Sequence, residues 1–95
     1  MASYKISQKA RADLKRIWLY GVYTYGVNRA DQYHEGLLNR FSLIAEQPFM
    51  FQSVDEIRAG YRRSVFGHDS IYYRIQDDVV EIMTVLGRQD ADEWL

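Results

Sequence analysis

The stretch YRRSVFGHDSIYYRIQDDVVEIMTVL, residues 61–86, decides the fold, because its apolar period is two. Residues 61–66 read as a strand and Gly67-His68 as a turn. From Ser70 to Gln76, Ile71, Tyr73 and Ile75 alternate with Tyr72, Arg74 and Gln76. Asp77-Asp78 predicts a second tight turn, since aspartate tolerates unusual backbone angles. Residues 79–86, rich in Val and Ile, complete a third strand. Two tight turns in succession imply an antiparallel meander.

Upstream of a mixed linker at residues 49–60, the period changes to that of a helix. Ala10, Leu14, Ile17, Trp18, Gly21 and Tyr25 recur at steps of three or four, which predicts an amphipathic helix over residues 8 to about 25. Ser7 stands at its N-cap position. Gly26 can end that helix, Asn28 can cap a second, and Asp31 suits the first turn of the second helix. Ala30, Tyr33, Leu37, Phe41 and Ile44 form its buried stripe, and Pro48 stops it after about Gln47. The short connection forces an antiparallel helical hairpin. Residues 3–6 read as a short strand, which the topology leaves free to pair with the last one. Residues 88–95 read as a short helix or an ordered tail. The expectation is one α+β domain over residues 1–95, ordered β-α-α-β-β-β, with the hairpin packed on a small twisted antiparallel sheet.

Composition bounds the function. The 95 residues are 47% hydrophobic and 15% aromatic with one proline, so the chain has the means to fold. Twelve basic and 13 acidic residues give a net charge of −1, without the positive excess of a protein whose main task is gripping nucleic acid. Cysteine is absent, which excludes disulfides and thiolate chemistry and fits a reducing compartment. The opening residues lack the apolar core of a signal peptide and no run is long enough to cross a bilayer, so a cytoplasmic location is expected.

The balance of charge hides a partition. Residues 1–17 sum to +4 and residues 58–74 to +3, whereas residues 75–95 sum to −5. Arg58, Arg62, Arg63 and Arg74 supply the second basic segment. They read either as a groove for an acidic partner or as a solvated sheet edge, where arginine discourages aggregation. Arg62 and Arg63 are adjacent on a strand, so at most one of them shares a face with Arg74.

Catalytic chemistry finds little footing. His34 and His68 have no partners at metal-ligand spacing, and the glycines form no phosphate-cradling loop, so neither metal nor cofactor is expected. Ser64, His68 and Asp69 are close in sequence but lack a nucleophile elbow. Tyr20, Tyr23, Tyr25, Tyr72 and Tyr73 read as core or interface packing in preference to base stacking.

Several ordered blocks carry a resemblance that spans nearly the whole chain. They are Tyr4-Lys5-Ile6-Ser7 with Ala10, Asp13-Leu14, Ile17 and Tyr20; Ala30 with Tyr33; Pro48; Glu56-Ile57-Arg58-Ala59-Gly60-Tyr61-Arg62-Arg63; Gly67-His68 with Ile71-Tyr72-Tyr73-Arg74; and Ile82 with Val85-Leu86 and Arg88. Together they resemble the ParE side of the ParE/RelE toxin–antitoxin superfamily. The resemblance implies a type II toxin that inhibits DNA gyrase and is neutralised by direct binding of a ParD-like antitoxin. The alternatives are a ribosome-dependent mRNA endonuclease of RelE type and a non-toxic module that only binds its antitoxin. Arg88 matches an arginine of the nuclease members, but Trp94 stands where those enzymes often keep a tyrosine, and an indole transfers no proton at neutral pH. Non-enzymatic action follows as the expectation. The expected antitoxin-binding residues are Arg58, Arg62, Arg63, Arg74, Leu14 and Trp18; Arg88, Trp94 and Leu95 are expected to meet the target.

Overall fold

The computed structural model describes residues 3–87. Its elements are β1 (Tyr4–Ile6), α1 (Gln8–Tyr25), α2 (Val27–Glu46), β2 (Gln52–Ser53), β3 (Tyr61–Phe66), β4 (Asp69–Gln76) and β5 (Val79–Gly87). They build the expected α+β architecture, with the helical hairpin packed on a five-stranded sheet of order β1-β5-β4-β3-β2. The sheet is mixed where an antiparallel one was expected. β1 reaches β5 from across the hairpin and pairs with it in parallel, Tyr4 opposite Val80 and Ile6 opposite Ile82. Two helices between the strands return the chain to the starting end of the sheet, and that permits the parallel pairing.

Ser7 caps α1 as its side chain predicts. Its Oγ accepts from the amide of Ala10 at 3.0 Å and donates to the carbonyl of Met83 at 2.7 Å, which fixes the helix start to β5. The start of α2 differs from the expectation. Gly26, at φ 94°, is the C-cap of α1 and the N-cap of α2, with no side-chain cap. Asn28 therefore lies inside the helix, and Asp31 falls beyond its first turn. The Asp77-Asp78 turn does use left-handed backbone, with φ of 53° and 63°.

The helix-facing core is built from Ala10, Leu14, Leu37, Phe41, Ile44, Ile71, Tyr73, Val80, Ile82 and Val85. Strand alternation places a second, smaller cluster of Val54, Tyr61, Tyr72 and Leu86 on the other face. Gly36 is required by packing: a Cβ there would stand 2.5 Å from the Phe66 ring. Asp13, buried on α1, ties that helix to β5. It accepts from the Thr84 hydroxyl at 2.6 Å and the Val85 amide at 3.0 Å, and pairs with Lys9 at 2.6 Å.

Tyr73 donates its hydroxyl to the carbonyl of Pro48 at 2.6 Å, closing the turn after α2 against the sheet. Burial pushes its pKa from 10.0 up to about 12, although the nearby Arg62 pulls the other way. Between those two pH values the unfolded chain loses this proton first, so stability falls as pH rises. Two pKa units correspond to on the order of 2–3 kcal/mol. Tyr73→Phe is expected to cost about 1 kcal/mol at neutral pH through the lost hydrogen bond. It should also flatten the decline between pH 10 and 12 in urea titrations; an unchanged slope would count against this assignment.

Candidate functional site

An open groove of about 550 Å³ lies where β1, α1 and α2 meet. Ile6 from β1, Leu14 from α1 and Leu38 from α2 give it apolar walls, and Trp18 adds its indole. The α1 residues Arg11, Lys15 and Trp18 succeed one another at steps of four and three, so they share a helix face. Two cations thus stand beside an apolar floor. On the α2 side, Asp31 and His34 complete the lining. The Trp18 Nε1–H donates to Asp31 Oδ1 at 2.8 Å, which orients the indole across the two helices.

Leu14 and Trp18 are therefore brought together, but away from the arginines predicted to act with them. The arginines divide between two sheet faces, as the adjacency of Arg62 and Arg63 implies. Arg62 lies opposite Tyr73, donates to the Phe51 carbonyl at 2.7 Å and places its guanidinium 5.1 Å from the Phe49 ring centre. Arg63 lies opposite Tyr72, and Arg74 opposite Tyr61, on the other face. Arg74 Nε is 2.9 Å from Glu81 Oε1, so much of its charge is already answered. Arg58 stands over the Tyr61 ring at 5.9 Å. The division follows from the two-residue period of β3. A smaller cleft of about 210 Å³ at the β4–β5 turn gathers Lys5, Arg74, Gln76, Asp77, Val79 and Glu81.

The polar groups near the β3–β4 turn act as braces. The Tyr33 hydroxyl donates to Asp69 at 2.6 Å and accepts from the His68 amide at 3.3 Å. Burial, and then the bond to the Asp69 carboxylate, hold the Tyr33 hydroxyl far above its ordinary pKa, so it stays protonated through the physiological range. Arg40 Nη1 donates to Ser64 Oγ and to the Val65 carbonyl, both at 2.9 Å. Ser64 and Asp69 are thus committed to separate partners and form no catalytic triad with His68. Among the described residues, no cluster of three or more His, Cys, Asp or Glu side chains could hold a metal ion. No helix among them is long and apolar enough to cross a membrane.

A family model described as the ParE toxin of the type II toxin–antitoxin system parDE matches residues 4–91. The chain belongs to the ParE toxin family. Curated relatives agree. A Toxin ParE1 of Caulobacter vibrioides is 41% identical over 86 residues, covering 90% of this chain and 88% of that protein. A Toxin ParE1 of Mycobacterium tuberculosis is 33% identical over 94 residues, covering 97% and 96%. In fold, the chain resembles one from the chromosomal ParDE TA system of P. aeruginosa, with a TM-score of 0.81 at 19% identity, covering 92% and 96%.

For this ParE family member, the expected target-contacting residues Arg88, Trp94 and Leu95 lie outside the described residues. Sequence reasoning missed the remaining groove residues, Ile6, Arg11, Lys15, Asp31, His34 and Leu38. The Arg11–Lys15 spacing beside Leu14 was a usable signal for a basic rim. The Trp18–Asp31 bond, which crosses between two helices, gave none.

Proposed function

We propose that this protein is the toxin of a type II toxin–antitoxin pair, acting in the cytoplasm on DNA gyrase and silenced by a ParD-like antitoxin. Membership of the ParE family over residues 4–91 carries the reading. The α1–α2 groove supports the second half. Its apolar walls and the flanking Arg11 and Lys15 suit an amphipathic antitoxin helix with carboxylates at one edge. A disordered antitoxin tail that folds on binding can wrap such a surface and release it when degraded. The toxin acts by binding, holding a gyrase–DNA intermediate without covalent chemistry of its own.

Induction in cells, with and without the cognate antitoxin, tests both halves. Induction alone should arrest growth and produce double-strand DNA breaks, and co-expression of the antitoxin should restore growth. Arrest accompanied by cut mRNA and intact DNA would contradict the gyrase assignment. Unimpaired growth with folded protein present would contradict toxicity altogether.

A further inference from the structure

The two rims of the α1–α2 groove carry opposite charge. On the α1 side Arg11 and Lys15 stand four residues apart, and both are exposed. On the α2 side Asp31 lines the groove, and Glu35 follows it by four residues, also exposed. Residues at that step share a helix face, so each rim is a row of one sign. The apolar strip of Ile6, Leu14 and Leu38 lies between the rows.

Each row sets like charge beside like at the spacing where a helix gains from opposite charges, which costs stability. Nothing within the described residues relieves that cost. Their ion pairs join Lys9 and Arg16 to Asp13 and Arg74 to Glu81, and none reaches Arg11, Lys15, Asp31 or Glu35. The acidic row also adjoins an aromatic ring. Asp31 holds the Trp18 indole through Oδ1 at 2.8 Å, and a carboxylate beside an indole face suits a cation. A polyanion such as nucleic acid would satisfy the α1 row but be repelled by the α2 row. A second copy of this chain fails on the α1 row instead. The apolar stripe that its α1 exposes, Leu19, Tyr20 and Tyr23, lies within residues 14–30, which hold no carboxylate.

We propose that the groove reads charge across its width. It takes a partner helix with carboxylates on the flank facing α1 and a lysine or arginine on the flank facing α2, and Asp31 and Glu35 select that cation. The inference rests on the antitoxin reading above and names the charge pattern of that partner. Glu35→Lys and Asp31→Asn test it, with Arg11→Glu as the opposite rim. Glu35 is exposed, and asparagine keeps a carbonyl for the Trp18 indole, so both variants should fold, as circular dichroism melting checks. In titration calorimetry with the cognate antitoxin, Glu35→Lys and Arg11→Glu should each bind roughly tenfold or more weakly, and Asp31→Asn more weakly by a smaller factor. Changing one lysine or arginine of the antitoxin to glutamate should restore binding to Glu35→Lys. Weaker binding in Arg11→Glu with equal or tighter binding in both α2 variants would overturn this inference alone. Binding unaffected in all three variants and in Trp18→Ala would overturn the groove as the antitoxin site along with it. No binding by the wild-type chain would overturn the antitoxin reading itself. Self-association of the free protein in sedimentation velocity, lost in Glu35→Lys, would make a second copy the occupant and overturn the assignment to a different protein.

Discussion

Asp13→Ala is expected to remove about 3–5 kcal/mol of stability, because it breaks a buried charged network on one side only. The Thr84 hydroxyl, at 0% exposure, and the Val85 amide would lose the acceptor at 2.6 and 3.0 Å, and Lys9 would lose its counter-ion. A domain of this size has a total of roughly 5–15 kcal/mol, so the variant should sit close to unfolding at growth temperature. Asp13→Asn retains one carbonyl acceptor and should cost less. Urea denaturation of the three proteins measures the order directly. A loss below about 1 kcal/mol in Asp13→Ala would mean that water replaces the carboxylate without penalty.

The second large effect concerns binding. Trp18→Ala is expected to weaken the antitoxin complex by about 2–4 kcal/mol, or roughly 30- to 1,000-fold, as for a central aromatic anchor. Trp18 is half-buried, and its indole is held over the groove by Asp31. Leu14 lies deeper and contributes to the main core, so substitution there would mix folding with binding. Lys15→Glu, on the exposed rim, should instead slow association and reduce its dependence on salt. Titration calorimetry and stopped-flow mixing with the cognate antitoxin separate the two behaviours. Unchanged affinity in a folded Trp18→Ala protein would remove the groove from the antitoxin interface.

Most of the architecture was legible because it rests on local periods. The stripe from Ala10 to Tyr25 and the alternation from Ile71 to Ile75 announce a helix and a strand without reference to anything distant. The Asp77-Asp78 turn is equally local, since its left-handed angles fall on residues that tolerate them. β2 escaped notice because two residues carry no period; Gln52 and Ser53 are strand only by pairing with Arg63 and Arg62. The start of α2 was misplaced by two residues because Gly26 serves both helices and displaces the expected Asn28 cap.

The candidate site was less legible, for a physical reason. Its parts meet only through tertiary packing. Asp13 and Thr84 are 71 residues apart, and the signal that links them is geometric. Ile6, Leu14 and Leu38 become one wall only after β1 has paired with β5 and both helices have settled on the sheet. The arginines show the converse. Their adjacency on β3 was enough to send Arg62 and Arg63 to opposite faces, and only Arg63 shares a face with Arg74. The tyrosines divide too: Tyr72 and Tyr73 are buried in the core, whereas Tyr20, Tyr23 and Tyr25 are exposed at the hairpin tip.

The most direct test of the central claim is a plasmid supercoiling assay with purified gyrase, ATP and increasing amounts of the folded free protein. A gyrase poison should abolish supercoiling, with linear DNA appearing after protease treatment as trapped cleavage complexes are released. Full supercoiling at every concentration, with no linear product, would contradict it.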